Sequence, residues 1–352
     1  MEALLVTPGT AGSARLAQVP AARAAAGEVL LRALEVGVCG TDSEIAHGLF
    51  GVAPEGEEHL VLGHELLAEV VEGAGAFRPG ALVAATVRRS CRRCAACAAG
   101  SPDACLTGLY RERGITSLHG FASELATESP EHLIPIPPEL GRLGVLAEPS
   151  SITARGIRHA RAVGARQPWD VRRALVLGSG AIGTLATLFL RLDGYEVWTA
   201  SREADGSEKA ALVELSGARY VSTTSEDVDA LALEVSGFDL VVEATGDAAV
   251  MARSVGLLGR NGVALLLGLD PRPGTVEIGR ATLGVNMVVQ NRAVVGSVNA
   301  HRDDWQQAVR HLTALRERWP EVAERIVGLR VDPGRFEDAL RFRGVKATVR
   351  FA

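Results

Sequence analysis

Cys39 lies in VGVCGTDSEI, His64 and Glu65 lie in VLGHELLAEV, and Glu148 lies in LAEPSS. A thiolate, an imidazole and a carboxylate make a three-ligand zinc set that leaves one position for water or substrate, which is the composition of a catalytic site. Asp42 is spaced to orient His64 from behind and so to fix which ring nitrogen faces the metal. Each residue alone is a weak signal, because a lone cysteine is more often a small buried hydrophobe and a His–Glu pair more often surface. Four further cysteines, Cys91, Cys94, Cys97 and Cys105, follow CxxCxxCx7C in SCRRCAACAAGSPDACLTG. Four thiolates saturate tetrahedral zinc, so this set predicts a closed, structural site. Iron–sulfur clusters also space cysteines by two, whereas disulfides fit poorly in a chain that reads as cytoplasmic.

ALVLGSGAIGTLATL contains GxGxxG at Gly178, Gly180 and Gly183, directly after a predicted strand and at the opening of a helix. In that context the glycines, with Ser179, Ala181 and Ile182 between them, form a turn that brings backbone and a helix N-terminus against a pyrophosphate. The next strand, YEVWTAS, ends in Ser201, Arg202 and Glu203. A serine and an arginine there suit the 2′-phosphate of NADP. Glu203, if turned inward, would repel that phosphate or take the 2′-hydroxyl of NAD, so both cofactors stay open.

These groups need elements to carry them. EVLLRALE alternates, and HLVLGHELLAEVVEGAG with ALVAATV reads as short strands between glycine turns, so the first third is largely β. After a helix over EPSSITARGIRHARAV, short apolar runs alternate with helical stretches, the pattern of βαβ units around a buried parallel sheet. The reading is α/β with a mostly-β domain over 1–153, its cysteine lobe at 88–108, a parallel-sheet domain over 154–296, and a segment 297–352 that returns to the first. That segment opens with a helix capped by Asp303 or Asp304.

At 352 residues, 47% hydrophobic and 22% charged, the chain suits two domains and contains no apolar run near the ~18 residues of a membrane span. The N-terminus lacks a basic segment followed by a long apolar core, so no secretory signal is expected and the location expected is cytoplasmic. A net charge of −5 gives no footprint for nucleic acid. Arg88, Arg89, Arg92 and Arg93 form one dense cationic spot, read as solvated lobe surface in preference to a polyanion site. The two lysines, Lys209 and Lys346, read as compositional bias.

CGTD, GHE, the four-cysteine lobe and GxGxxG, in this order across essentially the whole chain, resemble the zinc-dependent medium-chain dehydrogenase/reductase superfamily. Within it, CGTDSEI, LVLGHE, VRRSC, YRERGI ahead of HGF, LAEPSS, LLGRNGV and VVGSVNAHRDDWQQAV are similar to the glucose 1-dehydrogenase subfamily described from archaea and some bacteria. The resemblance implies a GroES-like, mostly-β catalytic domain and a Rossmann doubly wound cofactor domain. It also implies two zinc ions per subunit, NADP preferred over NAD, and a homo-oligomer, tetramer or dimer. By the same resemblance Cys39, His64 and Glu148 would hold the catalytic zinc, with Glu65 alternating, and the four lobe cysteines would hold the other. Thr41, Glu112, Glu148 and Asn299 would contact the sugar. Ser201 and Arg202 would clamp the 2′-phosphate, and Leu266, Leu267, Gly268, Ser297, Val298 and Asn299, with Lys346, would line the cofactor.

The sequence departs from that pattern twice. Val87 stands where some members place an asparagine on the sugar, which puts glucose itself in question, and Glu203 stands where some have a second base, which puts strict NADP use in question. The reaction implied is hydride transfer from aldose C1 to NADP or NAD, giving the lactone, with Thr41 relaying the hydroxyl proton. The alternatives are the same chemistry on a polyol, cyclitol or biosynthetic sugar-like alcohol, and a catalytically silent NADP(H)-binding sensor, against which the intact ligand set argues.

Overall fold

The computed structural model describes residues 1–169 and 172–352. Two compact units emerge, one of residues 1–151, 299–313 and 327–352 and the other of 152–298 with 314–326. Residues 314–326 therefore belong with the second unit, inside a segment expected to return whole to the first.

The first unit is built on a sheet that runs in the order Leu133–Pro135, Leu82–Ala85, Glu65–Glu72, Val29–Val38, Lys346–Arg350, Val327–Val331, with Leu125–Glu128 also paired to Val29–Val38. The inner strands Val29–Val38, Glu65–Glu72 and Lys346–Arg350 are buried on most of their residues, so both faces of the sheet are covered there. The C-terminal strand lies antiparallel to Val29–Val38, with Ala347 opposite Val38 and, on the other side, Gly37 opposite Glu65. This register brings the end of the chain to the ligand-bearing strand. Glu35, fully buried in the same sheet, is satisfied by Arg142, Arg330 and Thr348. A small separate sheet, Arg88–Arg89, Arg111–Arg113 and Ser117–Leu118, supports the cysteine lobe.

The second unit is a six-stranded sheet in the order Arg219–Ser222, Glu196–Ser201, Arg173–Leu177, Phe238–Glu243, Leu258–Leu266, Ala293–Gly296, with every pairing parallel. That is the doubly wound order 3-2-1-4-5-6, which reverses beside the first strand. Leu175, Leu177, Trp198, Val221, Phe238, Val241 and Leu258 form a core on this sheet, with Trp198 edge-on to Phe238 at 5.4 Å between ring centres. Each such side chain contributes about 1.5–3 kcal/mol by leaving water. The expected α/β architecture is borne out. The C-terminal helix differs at its start: it runs Arg302–Arg318, and the His301 N–H bonds Asp304 Oδ2 at 3.0 Å, so the aspartates sit in the first turn and His301 precedes them as cap.

Candidate active site

Cys39 caps the N-terminus of the helix Gly40–Ala46. Asp42 closes the first turn by accepting the Cys39 backbone N–H on Oδ2 at 3.0 Å, while its Oδ1 lies 3.6 Å from His64 Nδ1. One carboxylate thus braces two candidate ligands. His64 Nε2 stands 3.3 Å from Cys39 Sγ. Glu65 opens the strand Glu65–Glu72 opposite Gly37, where a Cβ would lie 2.0 Å from Glu65 Oε2. Only glycine leaves that carboxylate its place.

The ligand atoms of Cys39, His64 and Glu65 all lie within 4.8 Å of one another. Zinc bonded at 2.0–2.3 Å keeps its tetrahedral ligands about 3.3–3.8 Å apart, so the set fits zinc. Burial pushes the Cys39 thiol up, with His64 opposing. For His64, burial disfavours the charge, but Cys39 and Asp42 outweigh it and hold the imidazole well above its ordinary range. His64 Nδ1 and Asp42 Oδ1 are both buried without a hydrogen bond, as expected of a metal-orienting pair held slightly long.

Glu148 stands in the first turn of Ala147–Gly164, 8% exposed and outside the 4.8 Å group. Burial pushes its carboxyl up to about 7, with His64 opposing and Glu65 adding. Glu65, expected as the alternate, is thus the carboxylate gathered with Cys39 and His64. Lys346, expected at the cofactor, lies 2% exposed with its ammonium on the Glu65 carboxylate.

Among the residues expected to contact the sugar, Glu112 Oε1 accepts from Arg88 Nε at 2.9 Å and from Asn299 Nδ2 at 3.1 Å. Oε2 has no partner among the described residues. Asn299 has φ of 64°, a left-handed backbone that asparagine tolerates better than most residues. Thr41 is half-buried in the first turn of its helix, and its hydroxyl makes no protein hydrogen bond among the described residues. Val87 is 5% exposed.

The four lobe thiols are unbridged and lie within 4.8 Å of one another, with Cys94 and Cys105 sulfurs 3.9 Å apart. Tetrahedral thiolates around zinc sit about 3.8 Å apart, so this set fits too. Hydrogen bonds from Thr107 and from the Arg93 and Cys94 amides push the Cys91 thiol down to about 5, the behaviour of a sulfur prepared as thiolate. The neighbouring cationic spot is not what its sequence suggested. Arg88 and Arg89 are buried and paired to Glu112 and Glu128, and only Arg92 and Arg93 are exposed.

In the second unit a cavity of about 730 Å³ opens at the glycine turn, lined by Gly178, Ser179, Gly180, Ser201 and Arg202. A Cβ on Gly183 would lie 1.9 Å from the Gly178 carbonyl oxygen, which explains the third glycine. Ala181, Ile182 and Gly183 form the first turn of Ala181–Leu192. Leu267 and Gly268 hydrogen-bond the Glu243 carbonyl, and Ser297 that of Leu266, after adjacent strands; Val298 is exposed. Sequence reasoning missed three residues here and in the first unit. Lys209 holds Glu203 at 2.6 Å, Tyr220 extends a hydroxyl chain from Ser179 through Ser201, and Arg88 holds Glu112. Only Lys209, on the helix after Glu203, had a local signal: it is one of two lysines.

A doubly wound sheet with GxGxxG, in one chain with a Cys–His–Glu cluster and a four-thiol lobe, defines a zinc-dependent medium-chain dehydrogenase. Family models agree: residues 25–138 match the alcohol dehydrogenase GroES-like domain and residues 141–351 match the glucose dehydrogenase C-terminus. The glucose 1-dehydrogenase of Methanocella arvoryzae is 43% identical over 336 residues, covering 94% of this chain and 93% of the relative. That of Thermoproteus tenax is 38% identical over 345 residues, covering 96% and 95%. Among solved structures, Haloferax mediterranei glucose dehydrogenase in complex with NADP, Zn and gluconolactone superposes with a TM-score of 0.91 at 33% identity, covering 100% of this chain and 99% of that one. The chain belongs to the glucose 1-dehydrogenase family of zinc-dependent oxidoreductases.

Proposed function

We propose that this protein oxidises C1 of an aldose, glucose or a close analogue, to the lactone, with NADP preferred over NAD and two zinc ions per subunit. The observation that carries the reading is the 3.3 Å approach of Cys39 Sγ to His64 Nε2 with Glu65 beside them, in the same unit as the Glu112–Asn299 pair. Cys39, His64 and Glu65, with Glu148 as the exchanging carboxylate, would hold zinc, which supplies Lewis acidity toward the substrate hydroxyl. The remaining steps belong to side chains. Thr41, its hydroxyl unpartnered, accepts the C1 hydroxyl proton and passes it toward solvent or the cofactor ribose. Glu112 offers Oε2 to sugar hydroxyls while Arg88 and Asn299 fix its other oxygen. Lys346, its ammonium on the Glu65 carboxylate, holds that side chain in position. The closed lobe of Cys91, Cys94, Cys97 and Cys105 holds the second zinc and takes no chemical part.

Cofactor preference follows from charge. Arg202 has no carboxylate partner among the described residues, Ser201 and Tyr220 present hydroxyls, and Lys209 offsets the charge of Glu203. The 2′-phosphate therefore meets net positive charge. A second substrate reading, oxidation of a polyol or cyclitol, is favoured by buried, apolar Val87, which removes one polar partner from the sugar side. Reduced-cofactor formation across aldoses, polyols and cyclitols separates the two. Turnover of cyclitols without glucose sinks the first reading, and no turnover of any alcohol by zinc-loaded protein sinks both.

We also infer a cytoplasmic homo-oligomer. Five unbridged cysteines suit a reducing compartment. The edge strand Ala293–Gly296, with Val288, Val289, Val294 and Val298 exposed around it, is a surface that a second copy would cover. Among the described residues no helix is long and apolar enough to cross a membrane.

A further inference from the structure

Within the first unit lies a cleft of about 530 Å³, lined at one point by Asn299, whose walls carry six arginines and two histidines against three carboxylates. The carboxylates do not balance the charge. Glu128 is shared between Arg89 and Arg113. Arg302 gives its Nη groups to the backbone carbonyls of Glu131 and Leu133, at 2.8 and 2.9 Å. Among the described residues Arg92, Arg111 and Arg302 have no carboxylate partner. Arg89 also stands directly opposite Arg111 in the pairing of Arg88–Arg89 with Arg111–Arg113. Like charges in register destabilise a strand pair.

Burial, with Arg89 adding, pushes His132 down to about 4. A surface that keeps unpaired cations around a concavity is suited to an anion. Guanidinium forks match phosphoryl oxygens two at a time. The volume falls in the range of small-molecule sites and exceeds what one inorganic phosphate fills.

Arg88 joins this cleft to the sugar side. Its Nη1 donates to the Asp103 carbonyl at 3.0 Å and its Nε to Glu112 Oε1, the oxygen that also receives Asn299. We propose that the cleft is a second ligand site, for a small molecule bearing a phosphoryl group, and that its occupancy is transmitted to the sugar through Arg88 and Glu112. The transmission rests on the reading of Glu112 as a sugar contact; the binding does not.

The test titrates inorganic phosphate into the zinc-loaded protein by calorimetry, at constant ionic strength and with the cofactor cavity saturated by NADP. Saturable one-site binding is expected, weakened at least tenfold in the double variant Arg92→Ala/Arg111→Ala, both of whose positions are exposed, and unchanged in Arg335→Ala, an exposed arginine paired with Asp338. Thermal melting confirms that each variant is folded. Absent binding, equal binding in the double variant, or equal weakening in Arg335→Ala overturns the site. In steady-state assays saturating phosphate should shift the sugar KM at least threefold with kcat unchanged, and the double variant should abolish the shift. An unmoved KM alongside intact binding overturns the transmission. Should no sugar be oxidised at all, the calorimetric arm still decides the site.

Discussion

Lys209 and Glu203 settle between them what the cofactor cavity presents to a ribose. With its charge uncompensated Glu203 would repel a 2′-phosphate; held at 2.6 Å by Lys209 it leaves Arg202 beside it with no carboxylate partner among the described residues. Replacing Arg202 by Ala is expected to raise the KM for NADP tenfold or more while moving that for NAD less than twofold. Lys209→Gln should weaken NADP by about fivefold, the worth of a partly exposed ion pair, and leave NAD nearly unchanged. Equal effects on the two cofactors, measured in initial-rate titrations, would contradict the charge assignment. The two clusters of possible metal ligands, Cys39 with His64 and the four lobe cysteines, were legible because their types and spacing carry metal chemistry locally, whereas the carboxylate gathered with the first is Glu65 and the one expected foremost was Glu148. Their supporting partners were not. Lys346 meets Glu65 across 281 positions of chain, and Arg88 meets Glu112 across 24, with nothing in either neighbourhood to announce the pairing.

Elements inherit these constraints. His132, at the end of the short turn Pro130–His132, is mostly buried beside Arg89, and its folded-state pKa of about 4 lies below the ordinary 6.5. The folded protein therefore resists a proton that the unfolded chain accepts. Its contribution is fully present above about pH 6.5 and is lost as pH falls toward 4, about 3 kcal/mol in all. Wild-type Tm should drop more steeply than that of His132→Gln between pH 7 and 4.5; parallel curves would refute the assignment. The cysteine lobe is tested by Cys94→Ser. Zinc content should fall from two per chain to one, the sugar KM should rise several-fold, and the remaining metal should stay at Cys39. Unchanged sugar affinity and stability would show that the lobe does not support the site.

At this scale the inner parallel strands Arg173–Leu177, Glu196–Ser201 and Phe238–Glu243 were legible because they are largely buried and read as apolar runs, whereas the edge strand Arg219–Ser222, short and opening on an exposed arginine, was not. The start of Arg302–Arg318 was not, because His301 is a rare cap and Asp304 acts from within the first turn. The arginines at 88 and 89 misled for a related reason. A charge run is usually solvated, and only tertiary pairing with Glu112 and Glu128 draws these two inside.

For the whole molecule, the Cys39–His64–Glu65 cluster and the Glu112–Asn299 pair fall in one unit and the cavity at the glycine turn falls in the other. Val288, Val289, Val294 and Val298, exposed beside Ala293–Gly296, belong to the second unit, so the proposed assembly would run through that unit. Val294→Lys should shift the particle toward monomer by light scattering without lowering the affinity for NADP; an unchanged mass would place the interface elsewhere. The central claim, that Cys39 and His64 would hold the zinc whose Lewis acidity prepares a sugar hydroxyl for hydride transfer to NADP, is tested most directly by measuring zinc content and glucose-dependent NADPH formation on the same preparations of wild-type and Cys39→Ser protein. The account predicts two zinc ions and lactone-yielding turnover in the wild type, against one retained zinc and a loss of at least a thousandfold in kcat/KM in the variant. Wild-type turnover in Cys39→Ser, or no aldose oxidation by the two-zinc protein, would contradict it.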